Sequence, residues 1–82
     1  MKIRKANVHN QDQLITNVYI YENKQQEFSM VAIPEIEWSV TIPYVEERVE
    51  LELRLKSSLV QRIDPLAAEE LSSKIVQWTG EM

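Results

Sequence analysis

Between Phe28 and Tyr44 the chain reads Phe-Ser-Met-Val-Ala-Ile-Pro-Glu-Ile-Glu-Trp-Ser-Val-Thr-Ile-Pro-Tyr, its most apolar stretch, and this stretch limits what the rest can build. Pro34 and Pro43 have no backbone N–H to give to a ladder, so each closes a run of extended chain. In residues 36–42, Ile36, Trp38, Val40 and Ile42 alternate with Glu37, Ser39 and Thr41. That is the period of a strand with one face buried and the other in water. Residues 28–33 differ. Phe28, Met30 and Ala32 fall on one side and Val31 and Ile33 on the other, so both sides are apolar. Such a strand is central in a sheet or covered on both faces.

Two more strands precede this pair. Residues 14–22 are rich in β-branched and aromatic residues. Strict alternation puts Leu14, Thr16, Val18 and Ile20 on one face and Ile15, Asn17, Tyr19 and Tyr21 on the other. Residues 2–9 carry Ile3 and Val8 among Lys2, Arg4 and Lys5, the pattern of an edge strand protected by charge. The polar run 10–13 and the run 22–27, where Asn23 tolerates positive φ, are turns that make the pairings antiparallel.

Residues 45–63 admit two readings. Val49-Glu-Leu-Glu-Leu-Arg-Leu-Lys56 alternates as a strand does. Its Leu, Glu, Arg and Lys are helix formers, and Glu50/Arg54 and Glu52/Lys56 are favourable i,i+4 pairs. The helical reading is carried forward, with Val45, Val49, Leu53, Leu59, Val60 and Ile63 on one face. Asp64-Pro65 then marks a helix start, as N-cap and first helical residue. Ala67, Leu71, Ile75 and Trp78 form the apolar stripe of that helix, and Gly80 is placed to cap its end. The expected fold is α+β: a four-stranded antiparallel sheet in the order ββββαα, with two C-terminal helices packed on one face. Residues 1–82 make one small domain.

Composition excludes more chemistry than it suggests. There is no cysteine, one histidine and one glycine. Disulfides and thiolate or His-rich metal sites are out, as are the glycine-dependent phosphate loops and nucleophile elbows. No metal and no cofactor is expected. The net charge is −4, with four basic residues against three acids in residues 1–34 and five against ten in residues 35–82. An acidic domain lacks the footprint of nucleic-acid binding, and Lys2, Arg4 and Lys5 beside Tyr19 and Tyr21 are too few charges to supply one. No apolar run is long enough to cross a membrane, and Met-Lys-Ile-Arg-Lys lacks the apolar core of a signal peptide. A cytoplasmic location is expected.

Each candidate for chemistry has a plainer account. His9 ends a polar strand without a nucleophile at a meaningful spacing and reads as a surface residue. Glu35 and Glu37 lie on the polar side of the strand reading, as solvated charges. Trp38 and Trp78 are in phase with apolar stripes, as core residues that join the sheet to the last helix.

The runs Ile33-Pro-Glu-Ile-Glu-Trp-Ser39 and Ile75-Val-Gln-Trp-Thr-Gly-Glu-Met82, in a chain of this length, resemble the YueH-like family of small bacterial proteins. The resemblance implies a small bacterial cytosolic protein and supplies no site residues. The functional expectation comes from the sheet. Two helices cover one face, which leaves Tyr19 and Tyr21 with an apolar set drawn from Phe28, Met30, Val31 and Ile33 as a candidate interface. The chain is therefore expected to be a non-enzymatic interaction protein that forms a homo-oligomer, a homodimer, or binds an unidentified protein partner. The alternative is a ligand-binding regulatory module with a pocket between Trp38 and the C-terminal helices.

Overall fold

Extended chain makes up the first half of the molecule and helix the second. The computed structural model describes residues 1–81, and Met82 lies outside them. The strands are β1 (Lys2–Asn10), β2 (Gln13–Asn23), β3 (Phe28–Ile33) and β4 (Trp38–Pro43). They form one antiparallel meander in the order β1-β2-β3-β4. The helices are α1 (Arg48–Leu59) and α2 (Pro65–Gly80), both on the same face of the sheet. The expected α+β arrangement is what the chain adopts.

The core lies between sheet and helices. Val8, Ile15, Val18, Ile20, Val31, Ile33, Trp38 and Ile42 meet Leu51, Leu55, Leu59, Leu71 and Ile75 there. Small residues let the two layers close up: Ala67, Ala68 and Ser72 on α2 are buried, and the Ser72 hydroxyl donates to the Glu69 carbonyl. The cap signals act as they read. The Asp64 carboxylate accepts from the Ala67 N–H at 2.8 Å with Pro65 in the first helical turn. The Asn10 side chain accepts the Asp64 N–H at 2.9 Å, which ties the end of β1 to the start of α2.

Four local expectations are corrected. Alternation along β2 breaks, so Ile15 rather than Leu14 enters the core beside Val18 and Ile20. The cause is a register shift: Lys5 pairs with Asn17 but Val8 pairs with Ile15, so Ala6 and Asn7 stand against Thr16 alone. Asn7 takes a left-handed φ of 53° to do this. Next, the chain does not run straight into a strand after Pro34. Pro34–Ile36 is a 3-10 turn, closed by Glu37 in the left-handed region with its N–H on the Pro34 carbonyl. β4 starts only at Trp38, and Ile36 still reaches the core.

The third correction concerns α1. It is a helix, but its buried line is Leu51, Leu55 and Leu59, while Val49 and Leu53 are 65% and 63% exposed. Its N-cap is Glu47, whose carboxylate accepts from Val49 and Glu50. Lastly, Gly80 is the final residue of α2 and not a left-handed cap. Glu81 ends the helix in right-handed backbone, its N–H shared between the Gln77 and Trp78 carbonyls. No glycine is needed where φ stays negative.

Candidate interaction surface

Antiparallel pairing stacks the outward side chains in rows across the sheet. Ile3, Tyr19, Ala32 and Ser39 are register partners in one row. Tyr21, Met30 and Thr41 make the next, and Asn23, Phe28 and Pro43 the third. Ile3 is 57% exposed, Tyr21 40% and Met30 41%, with Tyr19 and Phe28 half-buried between them. The Tyr21 and Phe28 rings meet edge to face at 6.4 Å between centroids. The result is one continuous aliphatic and aromatic strip on the face that no helix covers. At its β1 margin the Lys5 ammonium donates to the Asn17 side chain at 2.8 Å. Lys2, register partner of the buried Ile20, lies on the other face.

Of the six residues expected to form an interface, Tyr19, Tyr21, Phe28 and Met30 lie on this face. Val31 and Ile33 do not: both are fully buried beneath the helices. Strand alternation sends them inward, where Val31 sits between its register partners Ile20 and Val40. Ile3 also belongs to the strip, and its strand carries too few apolar residues for the sequence to fix which side faces out.

The polar candidates are engaged in structure. One Glu35 carboxylate oxygen accepts the consecutive N–H groups of Thr16 and Asn17 at 3.0 and 3.3 Å. These amides point the same way because β2 breaks its alternation there, and β3 has already turned away at Pro34. Glu35 is thus a clamp on the irregular part of the sheet and not a free solvated charge. Its carbonyl also accepts from the Gln13 side chain at 3.0 Å. Replacing Glu35 with Ala should cost about 1–2 kcal/mol, with Gln costing less because it keeps an acceptor. Urea unfolding measures both. His9 is exposed at the end of β1. Among the described residues, no three His, Cys, Asp or Glu are grouped to hold a metal ion.

The ligand-binding alternative puts its pocket beside Trp38, which is a packed core position. Trp38 is buried, and its indole N–H donates to the Ser58 hydroxyl on α1 at 2.8 Å. The sheet is thereby joined to the first helix, whereas Trp78 on α2 only packs against the margin of the core. A cleft of about 230 Å³ opens at the far end of β4, among Glu22, Ser29, Tyr44, Glu46, Arg48 and Thr79. Arg54 fills both oxygens of Glu46 at 2.7 and 2.8 Å and also reaches the Thr41 carbonyl. That hydrogen bond holds the Glu46 carboxyl below its ordinary range. The Tyr44 phenol is pushed up, by desolvation first and then by the Glu22 carboxylate.

The family model described as YueH-like protein matches residues 2–81. The uncharacterized protein YueH of Bacillus subtilis strain 168 is 44% identical over 82 residues, covering 100% of each chain. No solved structure matches.

Proposed function

The chain belongs to the YueH-like family, and from that footing we propose that it works as a small non-enzymatic interaction module that docks a protein partner on its open sheet face. The observation that carries this reading is the strip Ile3–Tyr19–Tyr21–Phe28–Met30. A four-stranded sheet gains no stability from apolar side chains left in water, and large exposed apolar patches mark binding sites. The partner would present an apolar strip of its own, with an acidic group at the margin that meets Lys5.

Size indicates the class of interaction. Four strands spaced by about 4.8 Å, with β3 about 20 Å long, give a face of roughly 400 Å² in plan. That is about half of what each partner buries in a standard stable interface. Binding should therefore be transient, with fast dissociation. We also read the chain as a homodimer, held through a different surface.

A photo-reactive residue placed at Met30, and as control at the exposed Gln77 on α2, tests the docking face in an extract of the native host. A discrete protein adduct from position 30 and none from position 77 is the expected result. Adducts of the same pattern from both positions, or none from either, would contradict it.

A further inference from the structure

We propose that the outward side of α1 is a self-association seam that takes a second copy of this chain, in antiparallel orientation. The proposal rests on the alternating sequence of α1 and is independent of the open sheet face. In a helix, residues two apart lie about 200° around the axis, so an every-second-residue apolar pattern fills two opposite sides. The inward side, Leu51, Leu55 and Leu59, is what the domain core requires. The outward side is left with Val49 and Leu53, and with Val60 at 38% exposed one residue past the helix. Positions 49, 53, 56 and 60 are spaced four, three and four, the spacing of a coiled-coil seam, with Lys56 in the third place. Core packing gives no reason for these three aliphatic residues to be there.

Charge identifies the occupant and its direction. Glu46, Glu47, Glu50 and Glu52 outnumber Arg48 in the N-terminal half of the segment, while Arg54 and Lys56 stand in a C-terminal half without an acid. Arg54 is committed to Glu46 within the chain. Among the described residues, Glu50, Glu52 and Lys56 form no ion pair. A parallel copy would set Glu50 and Glu52 against their own counterparts. An antiparallel copy, with its two-fold axis level with residues 54 and 55, sets Val49 against Val60 and Leu53 against Lys56. The methylene stem of Lys56 then covers Leu53 of the second copy, and its ammonium reaches the Glu50 and Glu52 that flank that leucine. The helix dipoles also oppose each other in this arrangement. A seam about 18 Å long supports a weak dimer, populated at high micromolar concentration.

Sedimentation equilibrium at low salt, from low-micromolar to near-millimolar protein, is the test. The wild type should pass from monomer to dimer across that range. Leu53→Glu should weaken the dimer by about tenfold or more, and Lys56→Glu by less. Combining Lys56→Glu with Glu52→Lys should restore much of the loss. Met30→Ser on the open sheet face should leave the curve unchanged. Circular dichroism and melting of each variant confirm that it is folded. A strict monomer throughout would overturn the proposal, as would a dimer insensitive to Leu53→Glu and to the charge swap. A dimer lost with Met30→Ser but kept with Leu53→Glu would also overturn it, by assigning self-association to the sheet. So would a monomer whose position 53 cross-links a different protein.

Discussion

Leu55→Ala should lower the unfolding free energy by about 3 kcal/mol, while Leu53→Ala, two residues earlier, should change it by no more than about 0.5 kcal/mol. Leu55 is fully buried between sheet and α2, so truncation removes packed methyl groups and leaves a cavity. Leu53 is mostly in water and touches no core. In a domain of 82 residues the first loss would bring the melting temperature down by roughly 15 °C. The contrast bears on conformation as well as stability. Were residues 49–56 a strand, Leu53 and Leu55 would share one face and respond alike. Urea unfolding followed by far-ultraviolet circular dichroism, at dilute protein where self-association is negligible, measures both variants. A growing effect of Leu53→Ala with concentration would come from the α1 seam and not from the core.

Trp38→Ala should cost still more, about 4 kcal/mol, and leave the chain close to unfolded at ambient temperature. The indole does two things. Its rings fill the space where β4 meets α1, and its N–H satisfies the Ser58 hydroxyl. The parts separate by substitution. Trp38→Phe keeps most of the volume and loses the hydrogen bond, and Ser58→Ala loses the same bond from the other side, at about 1 kcal/mol. Because both delete one interaction, the double variant should cost less than the sum of the two. A loss in Trp38→Ala no larger than in Trp38→Phe would show that the indole is not packed as described.

How much of this was legible in the sequence depends on whether neighbours in the chain decide the outcome. The strands and their order follow from β-branched runs punctuated by prolines and polar turns, all local signals. The start of α2 is equally local, written in Asp64 and Pro65. What misled was any inference that carried strict alternation through a point where the backbone departs from it. Asn7 enters left-handed geometry and shifts the register, so the inward residue of β2 changes from Leu14 to Ile15. Glu37 does the same after Pro34, which converts a seven-residue strand into a turn and a shorter one. Asparagine tolerates positive φ, yet Asn7 takes it and Asn23 does not, and Glu37 is not of such a type, so residue identity alone did not place the breaks.

The buried side of α1 departs from expectation for a different reason: Leu59 and Ile63 enter the core as expected, but Val49 and Leu53 do not. With Val49, Leu51, Leu53 and Leu55 all apolar, a helical wheel offers two apolar sides. Only the docking of the helix on β4 and α2 chooses Leu51 and Leu55. The interface residues divide on the same principle. Residues 28–33 show that both sides of β3 are apolar, but not which side the helices take. Val31 and Ile33 went to the core, leaving Phe28 and Met30 with the two tyrosines outside.

That outer strip is the centre of the functional reading, and paired affinity capture tests it most directly. Wild-type chain and the Tyr21→Ser/Met30→Ser variant, matched for melting temperature, are immobilised in parallel and exposed to the same native extract. Both residues are outward and half in water, so the variant should fold as the wild type does. The reading predicts a defined protein retained by the wild type and absent from the variant, with a Leu53→Glu chain retaining it as the wild type does. Identical captures by wild type and variant would contradict the claim that the open sheet face is where this chain meets its partner.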